Sequence, residues 1–312
     1  MRVLITGGAG FLGSHLAERL ADGGDSVWAI DNFATGTPRN LSQRPEILLR
    51  EGSILDRALL RGLMEEAKPE VVVHAAASYK DPENWESDAQ TNVVGTANVV
   101  QEARRLRTHR LIYLQTALCY GLKPRENPIT LSHPLNPGGS SYAITKTAGE
   151  HFVLWGAPDP ISFRLANVYG PRNISGPLPT FYQRLTAGKP CFVMDTRRDF
   201  VYVDDLVDVL ASAVHGGGRS GVYHVSSGAD YSIQELFEGT VEALGIKLDK
   251  PVEVRSRNPD DAFSILLDPS RTREDFGWKA RVPLVEGVKR AIAWYREHGV
   301  EITYTHLKLS KS

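Results

Sequence analysis

One stretch, Thr6-Gly7-Gly8-Ala9-Gly10-Phe11-Leu12-Gly13, limits what this chain can fold into more than any other. It follows a short apolar run, Val3-Leu4-Ile5, and leads into Phe11, Leu12, Leu16 and Leu20, which share one face at helical spacing. The order is buried strand, tight turn, helix N-terminus. Gly8 is expected to permit the sharp turn, Gly10 to let the backbone approach a pyrophosphate, and Gly13 to let the helix pack on the strand. The unpaired N–H groups and the positive end of the helix dipole suit a diphosphate. Glycine turns serve many purposes, so the second strand matters. Ser26-Val27-Trp28-Ala29-Ile30 ends in Asp31, about twenty residues on, where a carboxylate accepts hydrogen bonds from a ribose 2′-OH. The combination predicts a dinucleotide site. A carboxylate repels a 2′-phosphate, which favours NAD over NADP.

Bulk properties narrow the class. The chain has 312 residues, enough for one large α/β domain or two smaller ones. A net charge of -1 argues against a nucleic-acid partner or an anionic membrane surface. No run reaches the ~20 apolar residues of a membrane span, and no secretory leader is expected. Cys119 and Cys191 lack metal-ligand spacing and cannot form a disulfide framework, so no metal is predicted and a cytoplasmic setting is expected.

Strand and helix signals then alternate. Glu46 to Glu51 reads as a third strand, with Asp56 as a helix N-cap soon after. Val71-Val72-Val73-His74 is a fourth strand running into Ala75-Ala76-Ala77, whose small side chains leave room at the sheet edge. His74 reads as a buried histidine bonded to backbone. A helix is predicted from near Glu86 to Arg107, with Asn92 bonding a neighbouring strand's backbone or facing solvent. Arg110 to Gln115 forms a strand ending in Thr116, and a helix starting at Ser140 or Ser141 carries Tyr142, Lys146 and Glu150. This alternation predicts an α/β fold, a Rossmann-like doubly wound parallel sheet. After Gly170, prolines shorten the elements. The expected division is a dinucleotide-binding domain of residues 1–169 plus 200–225, and a smaller α+β substrate region of 170–199 plus 226–312. The last helix, Val285 to His298, is amphipathic through Val288, Ile292 and Tyr295.

Tyr142 and Lys146 lie one helical turn apart and share a face. A tyrosine of pKa ~10 is a poor base near neutrality; a nearby ammonium is expected to lower it. Thr116 at its strand end adds an orienting hydroxyl. Without the glycine loop, such a pair would be a packed ring beside a solvated ammonium.

These pieces together resemble the extended short-chain dehydrogenase/reductases, in the nucleotide-sugar epimerase/dehydratase group. The resemblance runs through the glycine loop, His74-Ala75-Ala76-Ala77, Asn92-Val93-Val94-Gly95-Thr96 and Thr116-Ala117-Leu118-Cys119-Tyr120-Gly121. It continues through Tyr142-Ala143-Ile144-Thr145-Lys146, Arg164-Leu165-Ala166-Asn167-Val168-Tyr169-Gly170-Pro171 and Arg198-Asp199-Phe200-Val201-Tyr202-Val203-Asp204-Asp205. It implies Tyr142 as base, Lys146 on the nicotinamide ribose and Thr116 completing the triad. It also implies that Gly7, Gly10, Phe11, Leu12, Gly13, Ala75 and Ala76 line the NAD, Asp31 and Asn32 bind its adenosine ribose, and Ser53 and Ile54 lie near its adenine. Asn167, Arg198 and Arg257 would hold the diphosphate or sugar of the substrate, where paired guanidinium groups suit a diphosphate. Lys80 and Trp85 stand where relatives line the sugar site, and a surface helix start explains the same stretch.

The resemblance also implies a reaction. Dehydrating members carry an Asp-Glu pair just after the triad Ser/Thr; here Ala117 and Leu118 stand there, and neither transfers protons. Decarboxylating members carry a glutamate at the place of Leu118. Reductive epimerases use a cysteine one position from Cys119, which reads here as a small apolar residue. The remaining chemistry is a 4-epimerase acting on a nucleotide-diphosphate sugar, UDP-hexose first, with NAD tightly bound and regenerated each turnover. A 4-ketoreductase or dehydrogenase with net hydride transfer and a non-catalytic NAD-binding relative are the alternatives. Relatives carry a Gly-Asp-Gly loop before the Arg-Asp-Phe motif; the shorter Phe192-Val193-Met194-Asp195-Thr196-Arg197 leaves the base open. A homodimer through a four-helix bundle is implied, with Val93, Ala97, Val100 and Val153 as contacts.

Overall fold

The computed structural model describes residues 1–257, 262–300 and 302–304; positions 258–261, 301 and 305–312 of the expected 226–312 region lie outside these. The strands are β1 (Arg2–Thr6), β2 (Ser26–Asp31), β3 (Ile47–Glu51), β4 (Val71–His74), β5 (Arg110–Thr116), β6 (Pro160–Leu165), β7 (Asn167–Tyr169), β8 (Phe192–Met194), β9 (Arg197–Tyr202), β10 (Gly221–Val225), β11 (Asp230–Ser232) and β12 (Glu253–Arg255). Seven form one parallel sheet in the order β10-β6-β5-β4-β1-β2-β3. The order reverses between β1 and β4, the point where doubly wound sheets open a crevice at their C-terminal edge.

Both faces of the sheet are covered, so its central strands are mainly apolar. Alternate residues enter opposite cores: Val3, Ile5, Val71, Val73, Ile112 and Leu114 on one side, Leu4, Val72, Leu111 and Tyr113 on the other. The helices are α1 (Phe11–Asp22), α2 (Arg57–Ala67), α3 (Trp85–Asp88), α4 (Thr96–Leu106), α5 (Ser141–Gly156), α6 (Pro177–Thr186), α7 (Val203–Val214), α8 (Ile233–Leu244), α9 (Ser270–Phe276) and α10 (Leu284–His298). The helix expected from Glu86 to Arg107 is interrupted: Ala89–Gly95 is a π-helical segment between α3 and α4. Such a bulge shifts the faces on either side. Val100 and Val153 turn inward and belong to the core beside Tyr113, so they are corrected as subunit contacts.

Beyond Leu165 the chain leaves the large sheet and returns to it at β10. β7 pairs with β9 in a three-stranded sheet completed by β11, and β8 pairs with β12. Asp205, in the Arg-Asp-Phe stretch, fastens this part. Its Oδ2 accepts from the backbone of Arg281 and Val282 at 3.0 Å each, and its carbonyl accepts from Trp278 Nε1 at 2.7 Å. Asp205→Ala should therefore lower unfolding free energy in urea by about 2–3 kcal/mol, because two part-buried backbone donors lose a carboxylate acceptor. A change below about 0.5 kcal/mol would contradict this role.

Candidate active site

The site is built first by glycine. Gly7 has φ +68°, and a Cβ there would lie 2.8 Å from the Ala76 backbone. The sharp turn assigned to Gly8 is therefore made by Gly7, since a residue without Cβ takes this left-handed conformation so close to another stretch of backbone. Gly8 is a packing glycine, with an added Cβ 2.5 Å from that of Ala29. An added Cβ on Gly13 would meet the Gly7 carbonyl and lie 2.8 Å from Gly8 Cα, so α1 does pack tightly on the turn. Gly10 is the N-cap of α1 and no side chain caps the helix. Ala75 N donates to Thr6 O at 3.1 Å and Ala76 N to Thr6 Oγ1 at 3.2 Å, which holds the β4 loop against the turn.

Asp31 ends β2 beside that turn. Its Oδ2 accepts from Ala9 N at 3.0 Å and its Oδ1 from Phe33 N at 2.8 Å, while burial pushes its carboxyl up. Asn32 Oδ1 accepts from Ala34 N. Ser53 Oγ accepts from Leu55 N, and Ile54 is buried against Gly95. An uncapped helix N-terminus, a cradle too tight for any Cβ and a carboxylate closing β2 fit a dinucleotide.

The reacting groups enter from β5 and α5. Thr116 is the last residue of β5, with its Oγ1 accepting from Leu118 N at 3.2 Å. Ser140 Oγ accepts from Ala143 N at 3.1 Å and so caps α5, which sets Tyr142 in its first turn. Lys146 is 2% exposed, and its Nζ lies 4.0 Å from the Tyr113 ring centroid. Burial lowers the Lys146 ammonium to about 7 against the opposing pull of Glu150. Tyr142 departs from expectation: burial raises its phenol well above the usual value, and the phenol of Tyr79 and the carboxyl of Asp88 add to that. The lowering expected from Lys146 is overruled because burial disfavours the charged form of both groups.

Asn92 is buried and clasps two parts of the site. Its Oδ1 accepts from Ser78 N at 2.9 Å, and its Nδ2 donates to Ser78 O and to Thr145 Oγ1 at 3.0 and 3.1 Å. Its partners are thus the loop after β4 and helix α5. His74 is buried, as expected, but bonds side chains rather than backbone: Thr6 Oγ1 at 2.7 Å and Thr96 Oγ1 at 2.9 Å. Burial, aided by Lys146, lowers its imidazole to about 3, so it is neutral. Burial pushes the Cys119 thiol up to about 12, which removes it as a proton donor near neutrality.

On the substrate side, Arg198 Nη1 donates to Arg197 O and Ala262 O at 2.7 and 2.9 Å, and the Arg257 guanidinium lies 5.9 Å from the Phe263 ring. The two arginines, 59 positions apart in sequence, thus reach adjacent residues, Ala262 and Phe263. Asn167 is exposed at the start of β7, its Nδ2 donating to Asp199 O at 3.3 Å. Lys80 Nζ lies 5.4 Å from the Tyr304 ring centroid. Trp85 opens α3 at the surface, 66% exposed.

Two residues escaped sequence reasoning. Tyr79 shares a side-chain hydrogen bond with Thr35 and so joins the β4 loop to the loop after β2. Asp88 is buried, and among the described residues its Oδ1 has no hydrogen-bond partner. The available signal for Asp88 was its place one helical turn before Asn92; Tyr79 carried none.

A family model described as the NAD dependent epimerase/dehydratase family matches residues 3–226. The UDP-glucose 4-epimerase of Mycolicibacterium smegmatis is 34% identical, over 95% of this chain and 99% of that protein. A dTDP-glucose 4,6-dehydratase of an Actinoplanes species is 32% identical, over 95% and 98%. The Bordetella bronchiseptica enzyme WbmH, solved with NAD+, superposes with a TM-score of 0.93 at 52% identity, over 96% of this chain and 99% of that one. WbmG of the same organism, solved with NAD and UDP, gives 0.91 at 44% identity, over 98% of each. With its glycine cradle, its parallel sheet and a match across most of its length, this chain belongs to the NAD dependent epimerase/dehydratase family.

Proposed function

We propose that the protein is an NAD-dependent 4-epimerase of a UDP-hexose, working through a transient 4-keto sugar. The observation that carries this reading is a Thr116, Tyr142 and Lys146 set followed by Ala117 and Leu118, neither of which can transfer a proton. The UDP in WbmG and the UDP-glucose 4-epimerase relative support the substrate class.

In this reading Gly7, Gly10, Phe11, Leu12, Gly13, Ala75 and Ala76 cradle the dinucleotide. Asp31 and Asn32 hold its adenosine ribose, and Ser53 and Ile54 flank its adenine. When bound, NAD supplies the acceptor, and then the donor, of the hydride at sugar C4. Tyr142 takes the C4 hydroxyl proton and returns it, Thr116 orients that oxygen, and Lys146 holds the neighbouring ribose and stabilises the phenolate. Asn167, Arg198 and Arg257 grip the diphosphate while the keto sugar turns over, with Lys80 available to the sugar. Residues 170–199 and 226–312 form the substrate region in this scheme, and NAD stays bound between turnovers.

Helix α5 and its neighbour also leave an outer face bare. Val94, Ile144, Phe152 and Trp155 are exposed, Trp155 by 81%. We propose that this face, with Val93 and Ala97, forms a homodimer through a four-helix bundle. Light scattering should give twice the mass of one chain, and Phe152→Asp with Trp155→Asp should halve it. A monomer before mutation removes the proposal.

Incubation with UDP-glucose, UDP-N-acetylglucosamine and UDP-glucuronate should yield the C4 epimer of at least one, with no net reduced nicotinamide. Tyr142→Phe should cut kcat by at least about 100-fold, the usual scale for a lost general base, while NAD retention is unchanged. Stoichiometric reduced nicotinamide would establish the ketoreductase or dehydrogenase alternative. A 4-keto-6-deoxy product from dTDP-glucose would establish dehydration. Undiminished partner-dependent function in Tyr142→Phe would favour a non-catalytic relative.

A further inference from the structure

Behind Lys146, α5 buries a second charge. Glu150 lies one turn further on the same helix face and is 1% exposed. Its Oε1 accepts from Ser162 Oγ at 2.6 Å and Arg164 Nε at 3.1 Å, and its Oε2 accepts from Arg164 Nη2 at 2.8 Å. Arg164 Nη1 donates to the Tyr120 hydroxyl at 2.6 Å, and Tyr120 pairs with His224 Nε2 at 2.5 Å. His224 Nδ1 faces the Asp268 carbonyl at 2.9 Å, so Nδ1 carries the proton and Nε2 accepts. Burial lowers His224 to about 4, which leaves it neutral.

Pinning α5 to β6 would be done as well by apolar residues, since a buried ion pair is weak in net stability. Its position is more informative. The Tyr113 ring from β5 lies against Lys146, Glu150 follows it by one turn on its own helix, and neutral His74 from β4 interacts with it electrostatically. Of these, Glu150 is the anion that opposes the loss of the lysine proton. Tyr142 is faced by Tyr79 from the β4 loop and Asp88 from α3. Glu150 in turn meets Arg164 and Ser162 from β6, with Tyr120, Cys119 and His224 around the guanidinium. The carboxylate thus stands between two cations, one permanent and one that titrates.

We propose that Glu150 is a positioning residue for Lys146: held by Arg164 and Ser162, its carboxylate keeps the lysine protonated beside Tyr142. This rests on the reading of Lys146 as the partner of a catalytic Tyr142. Without Glu150, Arg164 and Lys146 are like charges in one buried region, and the lysine is the one able to release its proton.

The test is a pH titration of the NAD-free protein by NMR with 13Cε-labelled lysine, the Lys146 resonance being identified by its loss in Lys146→Met. Glu150→Gln should lower the Lys146 midpoint by about one pH unit or more, the scale of an adjacent opposite charge. Glu150→Gln/Arg164→Met removes both members of the pair and protects against misfolding of the single variant. It should shift the midpoint in the same direction, because Glu150 acts on Lys146 more directly than Arg164 does. A Lys146 midpoint unmoved in whichever variant folds would overturn the proposal, even if thermal stability falls, since a purely structural pin predicts that result. In the NAD-loaded enzyme the matching limb of the kcat–pH profile should move with the NMR midpoint. If the unmutated enzyme epimerises no UDP-sugar, the proposed function fails, while the NMR titration still decides the role of Glu150.

Discussion

A directed run of buried hydrogen bonds holds the crevice in shape. Thr96 Oγ1 donates to Asn92 O at 2.7 Å, so its oxygen is open to a proton from His74 Nε2 at 2.9 Å. That leaves His74 Nδ1 to accept from Thr6 Oγ1 at 2.7 Å, and Thr6 Oγ1 to accept from Ala76 N at 3.2 Å. Each hydroxyl both gives and receives. The imidazole can serve only while neutral, and burial keeps it so. The run joins β1, β4 and α4 at the place where the sheet order reverses, and Asn92 extends it to α5 through Thr145. An unpaired group anywhere along it would be costly, because all are out of water. The glycine turn can press against Ala76 because this run fixes the β4 loop.

Much of this was legible in the sequence, and the failures have physical causes. The parallel sheet followed from apolar runs bounded by glycine and small residues, since strands buried on both faces carry no alternation to misread. The helix carrying Tyr142 and Lys146 was legible from its serine cap and its spacing. The choice between Gly7 and Gly8 was not, because adjacent glycines can exchange the positive φ, and only the position of the Ala76 backbone decides. Val100 and Val153 were misplaced because apolar residues at helical spacing look alike whether they face a core or a partner; the π segment then moved the register. His74 was rightly read as buried, but its partners lie 68 residues before and 22 after it, beyond any local pattern. The joint role of Arg198 and Arg257 was carried by resemblance, and their contacts with the adjacent Ala262 and Phe263 depend on loops with no periodic signal.

Helix α5 answers to three demands at once. Its first turn presents Tyr142, its inner face buries Lys146, Thr147, Glu150 and Val153, and its outer face leaves Ile144, Phe152 and Trp155 in the open. Gly149 fits a fourth constraint. An added Cβ there would lie 2.6 Å from Asn92 O and 2.7 Å from the Tyr113 hydroxyl, so the π segment and β5 can approach the helix only at a glycine. The Tyr113 hydroxyl uses that approach to donate to the Lys146 carbonyl at 3.0 Å. Backbone position and side-chain charge of Lys146 are thereby set by the same ring, which carries its hydroxyl to one and its π face to the other.

Burial acts on Tyr142 and Lys146 in opposite directions on the pH scale and to the same end. It raises the phenol and lowers the ammonium, so both groups favour their neutral forms. The two sites cannot then be treated as independent titrations. Moving the phenol proton away creates a phenolate whose partner must be positive, and the stabilisation is largest where water is excluded. A lysine poised at about 7 can exist in either form near neutrality. In the proposed reaction the protonated form is the one that stabilises the phenolate, and Glu150 favours that form. A solvated lysine at its ordinary value would hold its charge throughout and gain less from the change. In the proposed reaction, burial, which first looks adverse to a tyrosine base, also leaves Lys146 able to titrate near neutrality.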